Sequence, residues 1–297
     1  MSMRQAKVGA VAGSRRRNVV VSPSNTPGGT DPWGGIFPGA SNTGYLPTGV
    51  TLTAYTGAGS IPSGTYDSKD FSGFFTVDSG ANVTITRSRI NIGGIETTGT
   101  GVLSMTDCEL IGDNSNQGND VVFGANITML RCNVHDGKAN FHMTTSDSAT
   151  DCYFHSPYNS TTVAYHYDCM GSNGCSGINI QHCTVSTVFQ NPGAGLGGGS
   201  ADIGFFGDFG TITNVTINKV LFVASSSNGD FGYALIPNGS QPGKSFPNNS
   251  NFVVTNCVFQ KGVSGHCGQF GFASNWAYNT GDVWSGNTYD DGTTIIA

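Results

Sequence analysis

The sequence is poor in charge. Lys and Arg together number 13 and Asp and Glu 19, so only 11% of the 297 residues are charged and the formal net charge is −6. Chains kept unfolded by charge carry far more of it and fewer apolar residues than the 37% here, which excludes that kind of disorder. Long apolar runs are lacking as well: no stretch approaches the ~18 residues a membrane-spanning helix needs. Glutamate occurs only at Glu96 and Glu109. In place of good helix formers stand Gly, Asn, Ser and Thr, and the 44 glycines are about twice the usual ~7% share. A helix-rich fold is excluded on these grounds. What remains is a large all-β protein with many tight turns.

The little charge there is lies unevenly. Residues 1–30 carry Arg4, Lys7, Arg15, Arg16 and Arg17 and no acid. The remainder then has 8 basic and 19 acidic residues, a net of −11. Nucleic acid is therefore a poor partner for the body of the protein. The basic arm, with Arg15, Arg16 and Arg17 as its anchoring cluster, suits DNA, an acidic protein surface or, as a plain solvated leader, solvent. A secretory signal needs an apolar run of about 7–15 residues after its basic segment, and the short, Gly-broken run Val8–Gly13 does not supply one. The expectation is a chain made in a cytosol with most cysteines as thiols. Residues 31–49, rich in Gly, Pro and Ser, read as a lead-in to a domain over 50–297.

Within that domain, turn clusters alternate with short runs of period two, the mark of half-buried strands. The runs repeat as apolar-x-apolar-x-x-Cys/apolar-x-apolar. One copy is Leu103, Met105, Cys108, Leu110, and the next is Ile127, Met129, Cys132, Val134. Later copies are Ile178, Ile180, Cys183, Val185, then Val215, Ile217, Val220, Phe222, then Phe252, Val254, Cys257, Phe259. Weaker ones are Ile85, Ile90, Ile92, then Ala149, Cys152, Phe154, and last Trp284, Asn287, Tyr289. Taken at the Cys step, the copies fall at 90, 108, 132, 152, 183, 220, 257 and 287. A period near 20 with insertions marks a solenoid, whose turns bury one another's apolar faces. A second short strand precedes most copies, as at Phe141–Met143 and Ile203–Phe205. Three strands per turn predict a parallel β-helix. A β-sandwich would not place one residue type at the same step of each repeat.

Cys108, Cys132, Cys152, Cys183 and Cys257 share that step, so they are expected to stack about 4.8 Å apart as an inward ladder of small apolar groups. A column of thiols does not give tetrahedral ligand geometry, so no metal site is expected from it. Cys169, Cys175 and Cys267 lie off the ladder. Cys169 and Cys175 flank a Gly-rich stretch, read as a loop that a small disulfide could close, which spacing alone does not decide.

The segment Phe37–Gly44, followed by Gly49–Gly57, is similar to the lead-in of actinobacterial right-handed β-helix proteins of the pectate-lyase-like class. The blocks Ala125–Asp136, Ser148–His155 and Ser176–Cys183 resemble their repeating turn. The similarity covers roughly residues 35–290. It implies an all-β, single-stranded right-handed parallel β-helix. This fold hosts lyases, hydrolases, adhesins and phage spikes, so it assigns no activity by itself. Such sequences occur in secreted actinobacterial proteins and in tailed phages of those hosts, and the basic arm without a signal favours the phage version. The resulting expectation is a virion structural protein, a minor tail or surface protein made in the host cytoplasm. Its arm would hold other virion proteins and its β-helix would contact host cell-wall glycans. Homotrimers are common among such spikes.

The resemblance also places ligands along one outer face of the solenoid. The strand before the Cys motif offers Asp120, then Asn140, His142 and Thr144, then His166 and Asp168, then Asp202. His142, His166, Asp168 and Asp202 are the candidate catalytic residues, and Asn140, Tyr165, Tyr167 and Phe206 the candidate glycan contacts. His166-Tyr-Asp168 aligns with a His-x-Asp pair that the resembling proteins often carry. The alternative function is then a polysaccharide hydrolase or lyase. A lyase acting on uronic acids would need a strong base and a cation, often Ca²⁺. No Arg follows Arg131, which leaves Lys138 as the best base. Inverting hydrolysis typically uses two carboxylates about 6.5–9.5 Å apart, which Asp168 and Asp202 would supply if one or two turns apart, and hydrolysis with His142 or His166 as general base is the other route. Against each residue stands a plain structural role, because Asp and Asn in tight turns bond the backbone. His135, His155 and His182, beside the repeat motif, are expected to pack or cap turns.

Overall fold

The computed structural model describes residues 24–114, 118–191, 193–225 and 230–297. Arg15, Arg16 and Arg17 lie outside them. Strands and turns fill the described chain, and its one helix is the single 3-10 turn Leu46–Thr48. No described helix is long and apolar enough to cross a membrane.

The strands stack in three parallel faces. The first face has nine strands, from Gly64–Asp67 and Asn82–Thr86 through Val102–Thr106, Ile127–Leu130, Ser148–Thr150, Cys175–Gln181, Ile212–Asn218 and Asn249–Thr255 to Val283–Ser285. The second runs from Glu109–Ile111 through Asn133–His135, Tyr153–His155, Thr184–Ser186, Leu221–Phe222 and Val258–Phe259 to Thr288–Tyr289. The third holds Val122–Gly124, Phe141–Met143, His166–Ser172, Gly198–Phe205, Phe231–Ile236 and Gly271–Ala273. The long strands Lys69–Val77 and Arg89–Thr97 pass through both the second and the third face and join them into one sheet. This is a parallel β solenoid, as the repeat predicts.

The x-x step of the motif is a one-residue corner. The residue before each ladder position has a left-handed backbone: Arg87 (φ 45°), Asp107 (54°), Arg131 (50°), Asp151 (53°), His182 (48°), Lys219 (57°) and Asn256 (55°). Each such non-Gly residue costs roughly 1–2 kcal/mol, so the corner must be offset by what it allows. It turns the chain within one residue and drives the next side chain into the core. Stacked corners also alternate in sign from Arg87 through Asp107 and Arg131 to Asp151, and His182 bonds Asp151 at the next corner. Arg131 Nε bonds Asp107 at 2.7 Å and His182 Nδ1 bonds Asp151 at 2.6 Å. Opposite charges on neighbouring strands stabilise their pairing, and a slipped register would set like charges together.

Cys108, Cys132, Cys152, Cys183 and Cys257 are fully buried and unpaired. Each thiol donates to the carbonyl two residues back: Cys108 to Thr106 at 3.4 Å, Cys132 to Leu130 at 3.6 Å and Cys152 to Thr150 at 3.2 Å. Cys183 and Cys257 repeat the bond to Gln181 and Thr255, both at 3.4 Å. At these five turns the slot takes a small side chain with a donor, and Val220 fills it with a similar bulk alone. The copy read at Ile90 is shifted by two, because Ile90 pairs with Leu110 and the ladder position is Ser88. Ser88 Oγ makes the same bond to Thr86 O at 2.6 Å. Cys169, Cys175 and Cys267 are also buried and unpaired. The stretch between Cys169 and Cys175, expected as a loop, is a tight corner between two strands.

Inward columns in register, such as Ile85, Met105, Met129, Ala149, Ile180, Ile217 and Val254, form one continuous core. Each large apolar side chain buried this way contributes about 1.5–3 kcal/mol. Residues 293–297 close the last turn: Ile295 is buried and its carbonyl accepts from Trp284 Nε1 at 2.9 Å.

The lead-in is a strap running against the stacking direction. Asn25 Nδ2 donates to Asp290 O and Gln260 Nε2 to Asn25 O, both at the last turns. Asp31 Oδ2 takes His182 Nε2 at 3.0 Å, and Phe37 is fully buried against Leu221 and Val258. Gly44 N then donates to Arg131 O at 2.9 Å. Residues 24–30, read from the sequence as the end of the arm, belong to this docked strap.

Candidate functional site

The third face carries a cleft of about 620 Å³ across its middle turns. Its floor follows from one register column. Phe123, His142, Gly171, Gly204 and Ile236 occupy successive positions of that column. Where the column reaches Gly171 and Gly204 there is no side chain, so the surface sinks. A Cβ on Gly204 would lie 2.6 Å from the Phe206 ring and 2.9 Å from Asp168 Oδ1, so the glycine keeps the trough open.

The upstream wall is built by Asp120, Lys138 and His142. His142 Nδ1 faces Asp120 Oδ2 at 2.9 Å, and Lys138 Nζ lies 3.5 Å from Asp120 Oδ1. The Asp120 carboxylate has no donor of its own, so it fixes Nδ1 as the protonated nitrogen of His142. Phe123 meets the His142 ring edge-on at 5.0 Å. Downstream, Lys244 Nζ holds both oxygens of Asp208 at 2.9 and 3.0 Å and lies 5.3 Å from the centre of the Phe206 ring. Gln241 and Asn275 complete that side. The loop bearing Gln241 and Lys244 is pinned by Phe246 N donating to Gly207 O and by Asn238 Nδ2 donating to Phe246 O, both at 2.9 Å.

Asp168 sits between the walls, at a register shift between strands His166–Ser172 and Gly198–Phe205. Its Oδ1 accepts the Ala201 N–H at 2.9 Å. Burial pushes its carboxyl up to about 7, with the Asp120 charge adding to the rise and the Ala201 N–H and Lys138 opposing it. The cleft thus sets a carboxyl raised toward neutrality in one lining with an Asp–His dyad. Perturbed acids in clefts of this kind mark sites able to transfer protons.

Of the sequence candidates, His142, His166, Asp168 and Phe206 line the cleft. Asp202 does not: it is fully buried, accepts the Thr187 N–H at 2.7 Å, and burial pushes its carboxyl well up. Asn140 is also interior, donating to His155 O at 2.7 Å. Tyr167 is buried, with its hydroxyl accepting the Ser160 N–H at 2.7 Å. Tyr165 is half-buried and outside the cleft lining. Asp202, Asn140 and Tyr167, expected on the outer face, are instead turned inward by bonds to Thr187 N, His155 O and Ser160 N. His155 and His135 pack ring on ring at 4.9 Å on the second face, and His182 bonds two carboxylates. The residues that sequence reasoning missed are Gly171, Gly204, Ser200, Asp208, Gln241, Lys244 and Asn275. Glycine at the outward step of two adjacent repeats was the available signal for the floor.

Among the described residues no group of three or more His, Cys, Asp or Glu is placed to hold a metal ion. No protein-family model, no curated protein and no solved structure matches the chain.

Proposed function

We propose that the protein is a right-handed, single-stranded parallel β-helix that binds a glycan in the third-face cleft and hydrolyses a glycosidic bond there. The observation that carries this reading is the geometry of one open trough lined by Asp168, whose carboxyl burial raises to about 7, and by the Asp120–His142 dyad. Asp168 donates its proton to the leaving glycosidic oxygen as the bond to the anomeric carbon breaks. Water attacks that carbon, and its proton passes to His142 Nε2, while Asp120 holds Nδ1–H and stabilises the imidazolium that forms. His166 and Phe206 border the sugar. Hydrolysis fits better than elimination, because neither lysine is free to act as a strong base: Lys138 faces Asp120 and Lys244 holds Asp208.

The setting we propose is a virion tail or surface protein attached through its basic arm, with host cell-wall glycans as the ligand. A second reading, adhesion without cleavage, is favoured by the Ala201 N–H bond to Asp168, a structural task for the same carboxylate. The two separate on product release. Incubation with host-wall polysaccharide should liberate reducing ends, and Asp168→Ala should lower that rate 10²-fold or more with binding nearly intact. Binding without release by the wild type would leave adhesion alone.

A further inference from the structure

We propose that the cleft selects neutral glycans and rejects polyanionic ones, because each of its two lysines already faces an aspartate, Lys244 with Asp208 and Lys138 with the Asp120 that also holds His142. This rests on the glycan reading above. Lys244 Nζ is held by both Asp208 oxygens at 2.9 and 3.0 Å, and Lys138 Nζ lies 3.5 Å from Asp120. The pairs are partly buried, with side-chain exposures of 30% and 36% for Lys244 and Asp208 and 31% and 16% for Lys138 and Asp120.

A uronate carboxylate entering the trough finds no uncompensated cation. To gain one it must displace Asp208 from Lys244, and the displaced carboxylate then stands beside the ligand as a like charge. The body outside residues 1–30 carries a net −11, which opposes the approach of a polyanion. Neutral hydroxyls meet no such barrier. They can donate to Asp208 and Asp120 and bond Gln241 and Asn275 while both ion pairs stay closed. The selectivity is built by exclusion rather than by a dedicated receptor group.

The test uses the full-length chain with arabinogalactan and mannan as neutral probes and polygalacturonate and hyaluronate as anionic ones. The wild type should bind a neutral probe with an affinity that changes less than about threefold between about 50 and 500 mM salt, and should not bind the anionic pair. Asp208→Asn frees Lys244 at a partly exposed position. It should create binding to polygalacturonate, at least about tenfold above wild type, weakened by salt and lost again in Asp208→Asn/Lys244→Gln. A circular-dichroism melt confirms that both variants stay folded. Wild-type preference for an anionic probe, or no gain in Asp208→Asn, overturns the inference. Gain of uronate binding in Asp208→Asn with no neutral probe bound by the wild type would instead sink the glycan reading and leave the charge cancellation standing.

Discussion

Replacing Cys183 by Ser tests the account of the ladder. From apolar stacking alone, a hydroxyl in that column should cost about 1–3 kcal/mol, the penalty of burying it unsatisfied. The structure supplies the missing acceptor, since Cys183 Sγ already points at Gln181 O at 3.4 Å. Ser88 shows a hydroxyl in the equivalent slot bonding Thr86 O at 2.6 Å. A net hydrogen bond returns about 0.5–1.5 kcal/mol, so the loss should shrink to about 0.5–1.5 kcal/mol. Cys183→Ala loses both the bond and the sulfur's packing and should cost more than Ser. Cys183→Val keeps the bulk, as Val220 does natively in the same slot, and forfeits only the donor. Melts by circular dichroism on the four proteins check the order, with each 1 kcal/mol worth about 2–4 °C in a chain of this size class. Thiol titration of the native wild type should label the ladder slowly, since all five thiols are shut off from solvent and burial pushes Cys257 up to about 12. A Ser variant less stable than the Ala variant, or ready labelling of native protein, would refute the reasoning.

Other expectations follow from the ionisable groups and the strap. Asp147 is fully buried and accepts the Ile127 and Thr144 N–H groups at 3.0 and 2.8 Å, and burial raises its carboxyl to about 6. Its folded value lies above the unfolded one, so its contribution is complete below about pH 4 and fades as pH rises through 6, a change of about 3 kcal/mol. The stability gap between wild type and Asp147→Asn, measured in urea from pH 4 to 7, should narrow by that order; a gap that widens with pH would contradict the sign. If Asp168 is the acid, hydrolysis should decline as pH rises through about 7, seen in a pH–rate profile. His182→Ala removes the bridge between Asp31 and Asp151, and limited proteolysis should then cut within residues 24–49 while the solenoid's dichroism is kept. Removing residues 1–23 should leave a folded protein that no longer joins the particle, whereas removal through residue 49 uncovers Leu221 and Val258 and should cause aggregation.

Much of the architecture was legible because a solenoid repeats its physics. The Ile-x-Ile and Cys steps recur, so the inward ladder and the three-strand turn can be read from spacing alone. Register at irregular turns was not legible. Ile90 was assigned to the slot of Ser88, since an apolar residue looked more like the motif than a serine that makes the same bond. On the third face, strands vary from three to eight residues and a register shift falls at Asp168. Asn140, Tyr167 and Asp202 are buried by contacts with His155 O, Ser160 N and Thr187 N from other segments, which no count in twos along one strand displays.

The sequence by itself determined the all-β class and the stacking core. These follow from local periodicity, which any turn displays without reference to the others; the neighbourhood of His142, His166 and Asp168 was indicated only by the family resemblance. Only the tertiary structure decided which polar groups meet. Asp120 and His142 are 22 residues apart, Asp208 and Lys244 36, and Asp31 and His182 151, and each pair is joined by the height at which separate turns come to rest. Insertions of variable length set those heights, and an insertion carries no periodic signal. The upward shift of the Asp168 carboxyl belongs to the same category, because burial and the Asp120 charge from another turn cause it.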